Sequence, residues 1–193
     1  MKRLLLVVAW VAVLTVGALL RFDALGERAV HADEATGARI TAMRLESGSY
    51  AFDPLHYHGP SLSGLGMLSA RLFGQHSWSE LESLPLRLVP AIAGLLVVAA
   101  PLLGRRRFGD GPMLLAALAL ATSPLLVYYS RMYIHEMLLT LFGLLALFQF
   151  TSRRRWWPAG IWVGLMFATK ETFVISLLAW GGALAILFLG SLR

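Results

Sequence analysis

The sequence contains no cysteine, and this absence excludes both disulfide bonds and chemistry at a thiolate. It contains no low-complexity tract and no internal repeat, so fibrous and solenoid architectures are excluded as well. Acidic residues are scarce: 11 Asp and Glu stand against 17 Lys and Arg, giving a net charge of +6. Such a basic excess occurs in nucleic-acid-binding proteins and in membrane proteins, and the positions of the basic residues decide between the two.

Apolar residues are what the chain has in abundance. They make up 58% of it, and the mean hydropathy is +0.68, whereas a soluble domain is about half apolar. A transmembrane helix needs about 20 predominantly apolar residues, and six runs approach that length. The sequence therefore predicts an all-α integral membrane protein with about six transmembrane helices. The predicted spans are residues 4–20, 84–103, 112–128, 132–150, 156–169 and 173–189, the fifth being the shortest.

The basic clusters all fall on one side of these spans. Lys and Arg are enriched in short cytoplasmic loops, and a cytoplasmic N-terminus places Arg105–Arg107, Arg153–Arg155 and Arg193 inside too. This topology accounts for the net charge, so no nucleic-acid partner is expected. We expect a multi-pass protein of the plasma membrane. Its first span is expected to stay uncleaved, because its apolar run exceeds the ~7–15 residues of a secretory signal.

The same topology places residues 21–83 in one long extracytoplasmic loop, accompanied by two short extracytoplasmic turns. Ten of the eleven acids and all five histidines lie on that side, and Asp110 alone stays inside. Within the long loop, Asp33 can cap a helix that stops near Gly48, and Pro60 can begin a second helix that ends at Gly74. Two amphipathic helices lying on the outer membrane surface are therefore expected.

Adjacent carboxylates occur at Asp33-Glu34, shortly after the first span. Neighbouring residues on a helix point in different directions, so one carboxylate can face a cleft while the other braces it, and the helix dipole favours their ionised forms. An ionised carboxylate can accept a proton from a hydroxyl group or hold a divalent cation. A helix cap beside an exposed acid is the structural alternative.

Two histidines, His56 and His58, flank a tyrosine just before Gly59-Pro60. Histidines at this spacing in a turn can converge on an anion or a metal ion. A zinc site is not indicated, because no third and fourth ligands follow at a recognisable spacing. Anion binding or a structural part in the loop is favoured.

Further charged residues stand at the ends of the later spans. Arg87 lies near the outer end of the second span, Arg131 and Glu136 with His135 open the fourth, and Lys170-Glu171 interrupts an apolar stretch. A charge pair at that depth is costly unless it lines a polar cavity, and arginine suits a phosphate. Anchoring at the membrane interface is the alternative. Together these groups predict one outer cleft for a phosphate-bearing ligand whose tail remains in lipid.

This layout resembles the GT-C membrane glycosyltransferases, especially the protein O-mannosyltransferase and lipid A aminoarabinose-transferase branch. Within that branch it looks most like a prokaryotic family of flippase-associated mannosyltransferase-like membrane proteins. The resemblance covers the whole chain but only the first half of a typical member, which suggests the N-terminal part of a longer protein. The matching segments are His31–Ala35, Tyr50–Pro54, His58–Pro60, Arg87–Pro90, Ser130–Glu136 and Thr169–Glu171.

The resemblance implies a polyprenyl-phosphate sugar as donor and a site on the extracytoplasmic face. By that analogy Asp33 is the base or the carboxylate that orients the acceptor, and Glu34 supports it. Arg131 and Lys170 meet the lipid phosphate, and Glu136 is an acid of the second external loop. The chain departs from the aminoarabinose branch at Tyr57-His58, where that branch has an acid and a lysine. A partial phosphate contact by His58 is then expected. His56 and Arg87 are also expected to contact the substrate or its phosphate, and Glu171, like Glu136, is expected to be a supporting acid.

The function expected from these observations is inverting transfer of a sugar to an acceptor at the extracytoplasmic face. A divalent cation held by Asp33 and Glu136 is left open as a cofactor. The main alternative is a non-catalytic protein that binds a lipid-linked saccharide or assists its flipping. A transporter is disfavoured, because transporter sites usually lie near the bilayer midplane, often between inverted repeats. Nothing in the sequence favours a purely structural interaction protein.

Overall fold

The computed structural model describes residues 2–50, 52, 58–150 and 157–191. This described part is all-helical, with ten α-helices, one 3₁₀ turn at Trp78–Glu80 and no strand. The helices are α1 (Lys2–Phe22), α2 (Ala32–Ser47), α3 (Ser61–Leu72), α4 (Ser83–Ala99), α5 (Pro101–Phe108), α6 (Asp110–Thr122), α7 (Pro124–Ser130), α8 (Glu136–Phe150), α9 (Trp157–Phe167) and α10 (Phe173–Ser191).

Three helical stretches of the described residues are long and apolar enough to cross a membrane. They are α1 over Arg3–Phe22, the continuous α4–α5 over Ser83–Phe108, and α10; α6 and α7 make a fourth if the pair is one span. Helices α8 and α9 are apolar but have only 15 and 11 residues. The prediction of an all-α membrane protein is therefore confirmed. The count of six spans stays a prediction, since length alone gives three or four.

The predicted span 112–128 consists of two helices, α6 and α7, which meet at an angle of 60°. Pro124 is the first residue of α7. Its ring leaves no backbone N–H and disfavours the helical region for the preceding residue, and Ser123 accordingly has ψ 117°. The Ser123 hydroxyl then accepts a hydrogen bond from the Leu126 amide and caps α7. The break is thus encoded by the Ser-Pro pair.

Two clusters of buried apolar residues hold the bundle together. One joins α1, α4 and α6 through Trp10, Val13, Val98, Ala117 and Ala121. The other joins α3, α4 and α8 around residues such as Leu62, Val97, Tyr133, Met137 and Leu138. Helix α10 has no buried residue, so its apolar surface is available to lipid or to other protein.

The bundle has two chemically different ends. Helices α1 and α4 are antiparallel, because Gly17 lies beside Val98 and Arg21 lies beside Gly94. Arg3 at the start of α1 and Arg105–Arg107 in the last turn of α5 are consequently at the same end, here called the arginine end. The opposite end, which contains Arg21, the start of α4 and residues 131–135, is called the polar end. The second predicted arginine cluster, Arg153–Arg155, lies outside the described residues.

Helices α2 and α3 lie at the polar end, as the sequence predicts for the first long loop. The cap of α2 is His31 and not Asp33: the His31 Nδ1 accepts from the Asp33 amide, and the Glu34 carboxylate accepts from the His31 amide. The sequence did not predict this reciprocal capping box, because histidine is an unusual N-cap residue. Gly48 ends α2 with φ 68°, a left-handed conformation that glycine adopts readily.

Candidate functional site

A buried ion pair between Glu34 and Arg87 connects α2 to α4. The Arg87 Nε donates to Glu34 Oε1 at 2.8 Å, and Nη2 donates to Oε2 at 3.0 Å. The same carboxylate also accepts the amide of Tyr133 at 2.9 Å and that of His31 at 3.0 Å. Burial by itself raises the pKa of Glu34, but the hydrogen bonds from the guanidinium and the two amides outweigh it and lower the pKa below its ordinary value.

Arg87 uses its whole hydrogen-bonding capacity inside the protein. Besides its two bonds to Glu34, it donates to the carbonyls of Leu25, Arg28 and Ala29 at 2.9–3.2 Å. A guanidinium has five N–H donors, and these contacts occupy all five. Arg87 therefore has no free N–H donor with which to make the phosphate contact expected of it. Its bonds instead hold Glu34 and the segment after α1 in position. Glu34 holds the surrounding backbone in place, which is what the sequence analysis expected of one of the two adjacent acids.

Tyr133 fixes the turn between α7 and α8, and sequence reasoning missed it. Its hydroxyl donates to the Leu62 carbonyl at 2.9 Å and lies 2.8 Å from the Thr41 hydroxyl, so one side chain joins this turn to α3 and α2. Burial raises the pKa of its phenol. A Cβ at Gly66 would clash with the Tyr133 hydroxyl, so the glycine permits the contact. A single aromatic residue among many gives no signal of this in the sequence.

Beside this framework is a cavity of about 510 Å³. It is formed by α2 and its cap His31, by His58 just before α3, by residues between 128 and 136 and by Lys170 after α9, so it lies at the polar end. Ionisable side chains from all these elements line it, namely His31, Asp33, His58, His135, Glu136 and Lys170. Residues far apart in sequence are thereby brought to one site, as the sequence predicted for most of them.

Asp33 presents an exposed carboxylate to this cavity, with Oδ2 3.5 Å from His31 Nδ1. It lies in the first turn of α2, and 76% of its side chain is exposed. The neighbouring Glu34 is almost completely buried and holds the local backbone through the His31 amide. Adjacent acids thus face opposite ways, one toward the cavity and one into the protein. The Asp33 carboxylate can accept a proton from a hydroxyl placed in the cavity.

Lys170 is the cation of the cavity. It follows α9, and its Nζ donates to Glu136 Oε1, the first residue of α8, at 2.7 Å. Both side chains are partly exposed, at 20% and 34%. An ammonium has three N–H donors, and among the described residues the Lys170 Nζ makes no hydrogen bond other than the one to Glu136. The pair therefore retains donors for an anion.

Two of the three described histidines of the cavity, His58 and His135, lie next to each other. The His58 Nδ1 is 2.9 Å from Glu171 Oε2, and the His58 ring contacts His135 edge to face with centroids 4.8 Å apart. Burial, with the nearby His58 and Lys170, lowers the pKa of His135 to about 4, against an opposing effect of Glu136 and Glu171. His135 is thus neutral near pH 7.

A close approach between the start of α3 and the end of α9 holds His58 in place. The Ser61 amide and hydroxyl both donate to the Ala168 carbonyl, at 3.0 and 2.7 Å. A Cβ at Gly59 would clash with that same carbonyl, so glycine is needed there. The Gly-Pro step noted in the sequence therefore has a packing reason.

Arg131 is placed away from the cavity. Its Nη1 donates to the Leu20 carbonyl at 3.0 Å, at the end of α1, and it is not among the residues that line the cavity. Arg21, which the sequence did not single out, is fully buried nearby. Its guanidinium joins α1 to Ser130 and to the carbonyls of Leu120 and Ala121. His56 lies outside the described residues.

The described residues offer little to a metal ion. No group of three or more His, Asp or Glu side chains among them is arranged to hold one. Asp33 and Glu136, the two acids considered as ligands, both line the cavity but without a third described partner. What the cavity provides is the exposed Asp33 carboxylate, the Lys170 ammonium paired with Glu136, and three imidazoles.

Comparison with known proteins gives one family. A family model described as dolichyl-phosphate-mannose-protein mannosyltransferase matches residues 58–191. The match includes His58, the turn with His135 and Glu136, and Lys170, while Asp33 and Glu34 precede it. No curated protein and no solved structure matches the chain. Because the match covers more than half of the sequence, the chain belongs to the dolichyl-phosphate-mannose-protein mannosyltransferase family, a family of GT-C-type membrane glycosyltransferases.

Proposed function

We propose that this protein transfers a sugar from a polyprenyl-phosphate donor to an acceptor hydroxyl at the extracytoplasmic face of the plasma membrane. The observation that carries the proposal is one cavity lined by both the exposed Asp33 carboxylate and the Lys170 ammonium. Transfer from a sugar phosphate needs a base for the acceptor and a cation for the departing phosphate. Family membership supports the reaction class.

In the proposed reaction the acceptor oxygen attacks the anomeric carbon of the sugar. The bond from that carbon to the phosphate oxygen breaks, and its electron pair leaves with the polyprenyl phosphate. The acceptor proton passes to the Asp33 carboxylate. Phosphate is already a good leaving group, so positioning and charge stabilisation carry most of the catalysis. A single displacement of this kind inverts the anomeric configuration.

Lys170 is proposed to hold the donor phosphate, with His58 beside it. Lys170 keeps N–H donors beyond its bond to Glu136, and His58 is 38% exposed at the cavity. Arg131 is proposed to support the site through its bond to the Leu20 carbonyl at the end of α1 and not to touch the phosphate, because it does not line the cavity. Glu136 orients the Lys170 side chain and Glu171 orients the His58 side chain.

The orientation follows from the two ends of the bundle. Short basic segments stay in the cytoplasm, so the arginine end, with Arg3 and Arg105–Arg107, is proposed to be cytoplasmic. The polar end and its cavity then face outward. We further propose that residues 1–193 form the N-terminal part of a GT-C-type transmembrane domain, with α8 and α9 as two further spans of its six. Short spans are tolerated where the bilayer thins or other protein covers them.

The test compares Asp33→Asn with wild type in membranes from cells that express the protein. Transfer of radiolabelled sugar from a short polyprenyl-phosphate mannose should fall by about 10²–10⁴-fold, the usual contribution of a general base. Membrane insertion and thermal stability should not change, because the carboxylate is exposed. Asp23→Asn is the matched control: it makes the same change at an exposed acid at the end of α1 and should transfer normally.

Each result has a defined meaning. Wild-type turnover in Asp33→Asn would overturn the role given to this carboxylate. Saturable donor binding without transfer by the wild-type protein would replace the proposed activity by the alternative, a protein that binds a lipid-linked saccharide or assists its flipping.

A further inference from the structure

His135 lines the cavity with an imidazole ring. Within the part of the chain that the structure describes, neither of its ring nitrogens bonds to a protein group; its ring contact is the edge-to-face packing on His58. Trp10 Nε1 is the one fully buried side-chain nitrogen or oxygen without a partner among those residues. The ring nitrogens of His135, which also lack a partner among these residues, are therefore not fully buried. They have access to the cavity that the residue lines.

The position of this ring is fixed before any ligand arrives. The turn that carries it is held two residues earlier by Tyr133, whose amide and hydroxyl bind Glu34 and Leu62. The residue after it, Glu136, begins α8 and binds Lys170. A side chain that is held on both sides and against a second ring loses little freedom on binding, which favours selective recognition.

The chemistry of the ring selects a class of ligand. Four charged or titratable groups face it, namely His58, Lys170, Glu136 and Glu171, and its pKa of about 4 keeps it neutral above that pH. A neutral imidazole has one N–H donor and one lone-pair acceptor. That combination matches a hydroxyl group, which also donates and accepts, and suits a phosphate poorly, because phosphate requires donors or positive charge.

The proposed reaction says where hydroxyl groups must lie. The sugar is bonded to the phosphate before transfer and to the acceptor oxygen after it, so it has to sit between the phosphate-binding cation and the base. His135 is the neighbour in sequence of Glu136, which is bound to Lys170, and both Lys170 and Asp33 line the same cavity as His135. The neutral His135 imidazole, with one donor and one acceptor, is therefore suited to a ring hydroxyl of the sugar.

We propose that His135 binds a ring hydroxyl of the donor sugar and thereby helps to select which sugar is transferred. This inference rests on the proposed function and adds a residue to it. His135 does not take part in bond making or breaking, so its loss should alter the choice among donors more than the maximal rate.

The test measures kcat/KM for polyprenyl-phosphate mannose and for its single-deoxy analogues, in wild type and in His135→Phe. An unpaired polar partner costs about 1–3 kcal/mol, so wild type should disfavour one analogue by roughly 5–150-fold. His135→Phe should reduce that one preference to within about twofold and leave the other ratios unchanged. His135→Gln keeps a donor and an acceptor and should retain part of the preference. His76→Phe, at an exposed histidine outside the cavity, should match wild type.

Equilibrium binding of the same donors separates the inference from the reaction. Equal donor ratios in wild type and His135→Phe, in transfer and in binding, would overturn the role of His135 while leaving the glycosyltransferase proposal standing. Absence of transfer in wild type, with donor binding whose deoxy preference still depends on His135, would instead reject the reaction and keep the hydroxyl contact. Thermal stability of each variant shows that it is folded.

Discussion

Two groups of charged residues lie at the polar end of this bundle, and they differ in burial. In the Glu34–Arg87 pair the side chains are 5% and 1% exposed, and all five guanidinium donors are used. In the cavity, the Lys170–Glu136 pair is 20% and 34% exposed. The first group has nothing left to offer a ligand, whereas the second keeps donors and acceptors free.

This difference shows that residue type alone does not tell which charged groups remain available to a ligand; the hydrogen bonds that they already make within the protein do. Asp33 and Glu34 are consecutive carboxylates at the start of α2, yet one is 76% exposed at the cavity and the other is buried against Arg87. The buried pair joins α2, α4 and the Tyr133 turn, so it determines where the cavity residues stand. The exposed groups can then act on a substrate.

The largest effect is expected from Arg87→Ala. It leaves the Glu34 carboxylate buried without its partner, and breaking a buried ion pair in this way costs about 3–5 kcal/mol. The variant should accumulate poorly and, in detergent, should unfold at a markedly lower temperature than wild type. Transfer should be lost together with the fold.

The double variant Glu34→Gln/Arg87→Leu separates an unpaired charge from lost shape. It removes both charges and keeps an amide oxygen for one backbone N–H, so it should be more stable than Arg87→Ala. A double variant as unstable as the single one would show that the hydrogen bonds to Leu25, Arg28 and Ala29, and not the charge, make the contribution.

Lys170→Gln should weaken donor binding and leave the fold nearly intact. Loss of a partly exposed cation from a phosphate site should raise the KM for the donor by roughly 10–100-fold, on the basis of about 1.5–3 kcal/mol for a hydrogen bond to a charged group. Glu136→Gln is the matched control, because it breaks the same ion pair but keeps the ammonium. Equal increases in KM in both variants would indicate that the pair only supports the structure.

A smaller effect is expected from pH. The pKa of His135 in the folded protein is about 4, below its ordinary value of 6.5, so the unfolded chain takes up a proton first as the pH falls. Stability is then complete above pH 6.5 and decreases toward pH 4, by on the order of 1–3 kcal/mol. The lowered pKa of Glu34 acts in the same direction, but only below 4.5.

Unfolding temperatures in detergent between pH 7 and pH 4 would measure this effect. In His135→Gln the unfolding temperature should change less between pH 6.5 and 4 than in wild type, while the decrease due to Glu34 below pH 4.5 should remain. If the variant and wild type lose stability in parallel across the upper range, the acid sensitivity comes from another group.

Patterns of hydropathy and charge predicted much of the fold. Apolar runs indicated an all-α membrane protein, and turn residues placed α2 and α3 within two residues of their observed limits. The break between α6 and α7 was not predicted, because a Ser-Pro pair at the end of a span is also compatible with an uninterrupted helix. The start of α8 at Glu136 instead of residue 132 has a similar origin: Met132, Tyr133 and Ile134 are apolar but buried in a turn.

The cavity was predictable in composition but not in geometry. A sequence shows that Asp33 and Lys170 lie on one side of the membrane, yet it cannot show which cations are already saturated. Arg131 and, as a weaker candidate, Arg87 were both expected to contact the phosphate. Only three-dimensional contacts reveal that Arg87 makes five internal bonds and that Arg131 binds a carbonyl outside the cavity. The importance of Tyr133 depends on Gly66 and Leu62, which are too distant in sequence to indicate it.

The smallest effect is expected from Arg131→Gln, and this makes it the sharpest test of the comparison. The guanidinium lies at the end of α1, bound to the Leu20 carbonyl and outside the cavity. A glutamine amide can still donate to that carbonyl, and an exposed contact of this kind contributes about 0–1 kcal/mol. The KM for the donor should therefore stay within about threefold of wild type, less than 1 kcal/mol, while Lys170→Gln raises it strongly. An increase in Arg131→Gln as large as that in Lys170→Gln would mean that the arginine turns into the cavity when donor binds, and that the arrangement of the free protein does not identify the residues that meet the phosphate.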